Sequence, residues 1–283
     1  MAIQLLKSGP LISVQDSGRF LGLQDGIPVS GVMDKNLFFE TNRILKNKIN
    51  SPSLEIFMQN FQIKFTKNTC FSFGAYDAKV FLNKNKIDLL KAYSVKPGDI
   101  LKIQKINKGV WSYLSVKGGF NSQSVLGSCS YYKKLNMQAF KNKNDLLNYD
   151  AFEGQIKSSE AQLNEIDDAN IELDCIALPE FKFLSETVKY QLFNAEFTLS
   201  RNSNRQAYQL NERLDNTLSE ITTGAVLPGT VQFTSGGHLM ILMRDSQVTG
   251  GYPRVLQVEE NSLSRLSQMR PDDKIKFKLS EEF

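Results

Sequence analysis

Short stretches in which apolar and polar residues alternate recur along most of the chain. They are four to seven residues long, are rich in β-branched and aromatic side chains, and end at Gly, Asn, Pro or Asp. This pattern is typical of β-strands. Strands are predicted at 53–57, 61–65, 78–82, 100–103, 110–116 and 230–233. The regular spacing of such short strands predicts a mainly β fold of the barrel or sandwich kind.

Helical spacing replaces this alternation in three places. At 33–45, 178–184 and 262–269 the apolar residues recur every three or four positions. One face of a helix then becomes apolar, so we predict three short helices.

The chain shows signs of two similar halves. A Pro-x-Asp turn leads into an alternating strand at 97–99 and again at 271–273; proline presets φ at the second position of such a turn. Between them, 153–170 is polar, acidic and poor in aromatic residues, as is typical of a linker. We therefore predict an N-terminal domain over 1–155 and a C-terminal domain over 168–283.

A glycine-containing polar loop, 244–253, directly follows the mostly aliphatic run 238–243. The run predicts a buried strand. Gly250 and Gly251 would let the following backbone adopt positive φ or approach a ligand closely. The alternative is an ordinary hairpin end closed by an ion pair between Arg244 and Asp245.

Composition excludes several classes of function. The net charge is only +4, and the lysines lie in Lys/Asn-rich stretches without interleaved aromatics, so nucleic acid is not expected as a partner. No apolar run is long enough to cross a bilayer and the N-terminus lacks a secretion signal. We therefore expect a cytoplasmic protein without a membrane partner.

Metal and nucleophile chemistry have few candidates. The three cysteines are odd in number and never spaced Cys-x-x-Cys, so neither disulfides nor a metal site is expected. The single histidine, His238, starts the apolar run after a Ser-Gly-Gly turn and is expected to flank that turn, partly exposed, rather than to serve a catalytic triad.

Short polar groups supply the remaining candidates. Arg19, Arg205 and Arg244 carry guanidinium forks that match carboxylates or phosphates, and structural ion pairs are the alternative for each. Ser30 and Asp34 precede the first predicted helix and either cap it or leave its free N–H groups to an anion. Asp77 follows a Phe-rich strand, where burial would raise its pKa for proton transfer; an exposed turn residue is the alternative.

Seven segments in a fixed order resemble one known family. They are 27–34, 73–78, 113–120, 125–128, 203–205, 223–232 and 244–253. The chain is identified from them as similar to the biotin-dependent carboxyltransferases of the allophanate hydrolase subunit 2 type, over about residues 14–277. The resemblance implies a mainly β fold of two cyclophilin-like β-barrel domains with a few short helices.

The resemblance also implies an activity and its site. The expected activity is that of the C subunit of an ATP-dependent 5-oxoprolinase. The C subunit activates the lactam of 5-oxoproline together with the B subunit, which is allophanate hydrolase subunit 1-like, before the A subunit helps open it to glutamate. ATP, with Mg as its counter-ion, is the expected cofactor. The predicted catalytic residues are Arg244, Asp77 and Asp34, and the predicted substrate- or nucleotide-binding residues are Arg19, Ser30, Gly31, Arg205, Gln247, Thr249, Gly250, Gly251 and Tyr252.

Two other functions of the family are alternatives. One is the carboxyltransferase component of a urea or amide carboxylase; no Met is followed by Lys in the sequence, so biotin would be carried by another protein. The other is a non-catalytic regulatory protein of the Kip type. The chain also departs from the family pattern at Gln206-Ala207, where Met-Gly is usual, and by one extra residue at 20–22. We expect a bulky Gln206 to alter the pocket near Arg205.

Overall fold

A computed structural model describes residues 2–7, 11–58, 60–135, 137, 142–157, 159, 161 and 170–280. They form two compact units, the first from segments 1–19 and 30–166 and the second from segments 20–29 and 167–283. The sequence did not indicate that 20–29 belongs with the second unit. Much of the predicted linker 153–170 lies outside the described residues, and the boundaries at 155 and 168 stay predictions.

The first unit is built from two antiparallel sheets. Its elements are β1 (Ala2–Lys7), β2 (Ile12–Gln15), α1 (Lys35–Ile44), β3 (Ser53–Phe57), β4 (Phe61–Phe65), β5 (Thr69–Gly74), β6 (Asp77–Leu82), β7 (Asn85–Lys86), β8 (Tyr93–Val95), β9 (Ile100–Lys108), β10 (Trp111–Val116), β11 (Phe120–Asn121) and β12 (Leu146–Tyr149). One sheet has the order β11-β12-β1-β4-β9-β6-β7 and the other the order β2-β3-β10-β5-β8. All five strand predictions in this unit are confirmed, although β9 extends five residues beyond its predicted end, from Ile103 to Lys108.

The core of the first unit lies between the inward faces of these sheets. Ile3, Ile63 and Phe61 of the seven-stranded sheet share one buried cluster with Leu54 and Leu114 of the five-stranded sheet. Alternate residues of a strand point to opposite faces. The alternation seen in the sequence therefore marks the residues that form this core.

Helix α1 confirms the helix predicted at 33–45. It buries Leu37, Phe38 and Ile44. A Cβ at Gly74 of β5 would lie 2.1 Å from the Thr41 hydroxyl oxygen, so any side chain at position 74 would require Thr41 of the helix to move.

The second unit contains one large sheet, a two-stranded ribbon and two helices. Its elements are β13 (Asn170–Ala177), α2 (Glu186–Asn194), β14 (Phe197–Thr198), β15 (Ala207–Arg213), β16 (Gly224–Ala225), β17 (Thr230–Phe233), β18 (His238–Leu242), β19 (Thr249–Gly250), β20 (Arg254–Val258), α3 (Glu260–Ser267) and β21 (Lys274–Leu279). The sheet order is β14-β21-β13-β20-β17-β18-β15, with β16 and β19 forming the ribbon. Of the described strand pairs in this unit, only β13 and β21 are parallel.

The helix predictions in this unit are partly wrong. Helix α3 confirms the prediction at 262–269, but 178–184 contains only a 3-10 turn, Phe181–Phe183. The α-helix begins after it, because the Ser185 hydroxyl accepts a hydrogen bond from the backbone N–H of Val188 and caps α2. The mainly β fold with a few short helices is confirmed. None of the described helices is long and apolar enough to span a membrane.

Candidate functional site

Arg19 lies in the interior of the first unit, with 1 % of its surface exposed. Its Nη1 donates to the Ser30 hydroxyl at 3.0 Å, and its Nη2 donates to the backbone carbonyl of Ser130. Its guanidinium group therefore ties the loop at Ser30 to the loop at Ser130. Arg19 and Ser30 were both predicted to bind a ligand, but their side chains are hydrogen-bonded to each other.

Asp16 forms the centre of the same region and was not predicted as a site residue. Its Oδ1 accepts from the Ser128 hydroxyl at 2.5 Å and the Ser130 hydroxyl at 2.6 Å, and its Oδ2 accepts from the Cys129 N–H at 2.7 Å. A carboxylate held by this many donors is fixed in place. The sequence feature that could have identified Asp16 as a site residue is its position near Arg19 in a glycine-containing turn.

Gly31 is required by close backbone packing. Its φ is +88°, and a Cβ would lie 2.9 Å from the backbone nitrogen of Gly18 and 2.9 Å from the backbone carbon of Ser17. Ser30 beside it also adopts a left-handed conformation, with φ of +54°. Of the two, only Ser30 stores backbone strain, because glycine adopts positive φ without cost.

Asp34 is completely buried and caps α1. Its Oδ1 accepts from the Leu37 N–H at 3.0 Å and its Oδ2 from the Tyr76 hydroxyl at 3.2 Å. The geometry is that of the capping alternative. Because Tyr76 is only half-buried, its hydroxyl connects Asp34 to a more accessible position.

A second carboxylate, Glu55, supports this loop and was missed by the sequence analysis. Its Oε2 accepts from the Met33 N–H at 2.7 Å and from the Tyr113 hydroxyl at 2.9 Å. That hydroxyl in turn accepts from the Asp34 N–H at 2.9 Å. Burial, with the nearby charges of Glu55 and Asp34, raises the pKa of Tyr113 well above its usual range, so the hydroxyl keeps the proton that it donates to Glu55.

Asp77 does not match the expected buried acid. It is exposed at the start of β6 and accepts a hydrogen bond from the Asn107 amide at 3.0 Å. The strand alternates, with Ala78 and Val80 facing inward, which places Asp77 on the outer face. Asp77 is therefore exposed, as in the alternative interpretation, but it lies on a strand and not in a turn.

The arginines of the second unit are held by carboxylates. Arg205 donates to both oxygens of Asp245, at 2.8 and 3.0 Å. Arg244 is 2 % exposed and donates from both Nη atoms to the carboxylate of Glu260, the first residue of α3. The ion pair between Arg244 and Asp245 in the alternative interpretation does not form, because each of these neighbours pairs with a partner distant in sequence.

Gly250 and Gly251 have no positive φ, contrary to one of the two expectations. Gly250 instead provides space: a Cβ there would lie 2.3 Å from Nε2 of the buried Gln232. Gln247 donates to Oε1 of Gln232 at 3.1 Å, while Nε2 of Gln232 has no acceptor among the described residues. Gln232, missed as a candidate, lies in the resembling segment 223–232.

The exposed side of the 244–253 loop carries neutral polar groups. Gln247, Thr249 and Tyr252 are exposed. No hydrogen bond to the side chain of Thr249 or Tyr252 is formed within the described part of the chain. These groups are accessible to a ligand, whereas Arg205 and Arg244 form ion pairs that stabilise the loop.

Arg254, directly after the Gly-Gly-Tyr-Pro segment, was also missed. Its Nε and backbone N–H both donate to Oε2 of Glu180 at 3.0 Å, and its Nη1 donates to the carbonyl of Ala225 at 3.0 Å. Hydrogen bonding from Arg254 lowers the pKa of Glu180 and correspondingly raises that of Arg254. This arrangement joins the 3-10 turn region, the ribbon and β20.

Gln206 causes no backbone strain. It is exposed, has no positive φ, and its N–H donates to the Asn204 side chain at 2.7 Å. His238 is half-buried and accepts from Nε of Arg213 at 3.0 Å. No group of three or more His, Cys, Asp or Glu residues with metal-binding geometry occurs in the described segments.

A family model fits nearly the whole chain. The carboxyltransferase domain model, subdomains A and B, matches residues 25–279. The chain belongs to this family. The resemblance seen in the sequence is confirmed.

The matched relatives include two curated bacterial proteins. The chain is 30 % identical to the 5-oxoprolinase C subunit of Haemophilus influenzae, over 97 % of this chain and 90 % of that protein. It is 27 % identical to the 5-oxoprolinase C subunit of Escherichia coli, over 94 % of this chain and 87 % of that protein.

A solved structure with the same fold is that of Kluyveromyces lactis urea amidolyase. The TM-score is 0.88 at 26 % identity, covering 98 % of this chain. The chain corresponds to only 18 % of that much longer protein. The likeness therefore concerns one domain of urea amidolyase.

Proposed function

We propose that this chain is the C subunit of an ATP-dependent 5-oxoprolinase, which activates 5-oxoproline with the B subunit for hydrolysis to glutamate, aided by the A subunit. The observation that carries the proposal is the similarity to two curated C subunits along nearly their whole lengths, 90 % and 87 %. Similarity over whole chains favours an equivalent part in the complex. A shared fold alone would not indicate an equivalent role, because one fold can carry many functions.

The polar groups of the second unit suit the uncharged lactam group of 5-oxoproline. The exposed Gln247, Thr249 and Tyr252 offer uncharged donors and acceptors, as an amide or lactam requires. Held in place by the loop, they would orient the lactam and stabilise charge that develops on its oxygen. Gln232 extends this set with a buried amide beside Gly250.

The arginines predicted for catalysis (Arg244) and for substrate or nucleotide binding (Arg19 and Arg205) do not fit an ATP site. Arg19, Arg205 and Arg244 all use their guanidinium groups to hold other parts of the chain. A nucleotide would have to displace Asp245 or Glu260 to reach the last two. These three guanidinium groups are therefore not proposed as ATP ligands.

The test is omission of this chain from a reconstituted enzyme. The purified chain is mixed with the B and A subunits of its own organism, and phosphate release from ATP is measured with and without 5-oxoproline. We expect 5-oxoproline-dependent release only when all components are present. Equal release without this chain would contradict the proposal.

A second candidate is the carboxyltransferase component of a urea or amide carboxylase. It is favoured by the TM-score of 0.88 to urea amidolyase, whose corresponding domain is 26 % identical. Its test is transfer of labelled carboxyl from a separately supplied biotin carrier to urea. Transfer that needs this chain, without any 5-oxoproline turnover, would establish this alternative.

A further inference from the structure

A groove crosses the outer face of the seven-stranded sheet of the first unit. Its main cavity, of about 460 Å³, has Phe81 and Ile100 among its lining residues. A smaller cavity of about 190 Å³ adjoins it and shares Gln62, Lys102 and Gln104 with it. We call the two together the basic groove. None of its residues was predicted from the sequence as a site residue.

The wall of the groove is preformed. The turn at Asn83 and Lys84 has positive φ at both residues, +49° and +73°. Asn83 fixes it by donating to the Asp99 carboxylate at 2.7 Å and by accepting from the Ile100 N–H at 2.8 Å. A ligand would therefore enter a cavity whose shape already exists, which reduces the entropic cost of binding.

The groove is positively charged. Lys84 lines the main cavity, Lys7 the smaller one and Lys102 both, and no Asp or Glu lines either. No salt bridge to any of these lysines occurs within the described residues, and the Gln62 and Gln104 side chains make no hydrogen bonds there. The groove thus offers ammonium and amide donors beside an apolar floor.

We propose that the basic groove binds a nucleoside phosphate. The ring lies over Phe81 and Ile100 in the main cavity, and the phosphates extend past Lys102 towards Lys7 in the smaller one. A volume of about 460 Å³ is within the range of small-ligand sites. Lysines bind phosphate as point charges, and an aromatic face stacks on a nucleobase.

The sheet favours a small ligand over an acidic peptide. An extended peptide gains affinity by pairing with a free strand edge, but β9, which forms the centre of the groove, is hydrogen-bonded to β4 on one side and to β6 on the other. A peptide here would have side-chain contacts only. A compact polyanion needs no backbone pairing.

This inference concerns binding by this chain alone, so its test is separate from that of the lactam chemistry. It also offers a location for ATP that the buried arginines do not. Isothermal titration of the full chain with Mg-ATP, adenosine and inorganic tripolyphosphate measures the ring and phosphate contributions separately. We expect saturable ATP binding with a dissociation constant below about 1 mM.

Three variants locate the site. Lys102→Glu should weaken the binding of ATP and of tripolyphosphate roughly tenfold or more, because it replaces an attractive charge by a repulsive one. Phe81→Ala should weaken the binding of ATP and of adenosine but leave the affinity for tripolyphosphate unchanged. Lys105→Glu is the matched control, since it makes the same charge change on the same strand but lines neither cavity; its ATP affinity should change less than about threefold.

Equal losses of ATP affinity in Lys102→Glu and Lys105→Glu would overturn the proposal, because the affinity would then depend only on the net charge of the protein. Absence of saturable ATP binding would overturn it as well. Binding of a polyglutamate peptide that ATP does not displace would show an acidic polypeptide as the occupant instead.

Discussion

Arg244→Ala is the substitution that most sharply separates a structural from a ligand-binding arginine. Arg244 is 2 % exposed, and its charge is paired with Glu260, whose side chain is 47 % exposed. Removing the arginine leaves that carboxylate accessible to water, so the severe cost of an unpaired buried charge is avoided. What is lost is the pair of charge-assisted hydrogen bonds and a buried alkyl chain, worth about 2 kcal/mol of folding free energy.

For a chain of this size, that loss corresponds to a fall in Tm of roughly 4–8 °C. Differential scanning calorimetry measures it, and urea unfolding gives the free energy at 25 °C. Arg244→Lys is the conservative comparison and should recover less than half of the loss, because one ammonium cannot reproduce two parallel hydrogen bonds.

The refuting result is specific. If Arg244→Ala leaves Tm within about 1 °C while the reconstituted complex loses its turnover, the arginine is not held by Glu260 in solution. It would then be the ligand-binding group predicted from the sequence. Glu260→Gln serves as the control, since a structural pair predicts that both variants are destabilised.

Three further predictions concern stability and reactivity. Gly31→Ala should cost at least about 2 kcal/mol, whereas Gly98→Ala, at a similar φ but with no atom within 4 Å of the added Cβ, should cost about 1 kcal/mol, as judged by urea unfolding; equal losses would contradict the close approach at Gly31. Glu180→Gln should destabilise the chain at neutral pH. Because Arg254 lowers the pKa of Glu180, this stabilisation is present above the usual carboxyl pKa and lost as pH falls through the lowered value, so a deficit that does not change with pH would be inconsistent with the pair. Burial raises the pKa of Cys175 to about 12, so iodoacetamide at pH of about 8 should not label it in the folded protein, and rapid labelling by mass spectrometry would refute its burial.

The sequence predicted the strands well because alternation records directly which residues face the core. All six strands predicted from alternation were found, including 53–57 and 61–65 with identical bounds. The prediction of a helix at 178–184 was wrong, because this segment contains only a 3-10 turn. The observed helix, α2, begins after the capping residue Ser185. Local periodicity does not distinguish these two cases.

The site was predicted less completely, because partner choice is decided by tertiary contacts. Asp245 is adjacent to Arg244 in sequence but pairs with Arg205, and Arg244 pairs with Glu260. Glu55 has no local signal: it lies in an ordinary strand and reaches the loop before α1 only in the folded unit. Gln232 and Arg254, which the sequence analysis missed, lie in or directly beside the segments that resembled the family.

Glutamate formation shows whether the chain acts as a 5-oxoprolinase C subunit. The chain is combined with the B and A subunits of its own organism, ATP and isotope-labelled 5-oxoproline, and the products are followed by NMR. We predict labelled glutamate at a rate that falls to background when this chain is omitted, and no ATP turnover with urea. Undiminished glutamate formation without this chain, or turnover with it that depends on urea but not on 5-oxoproline, would contradict its role as a 5-oxoprolinase C subunit.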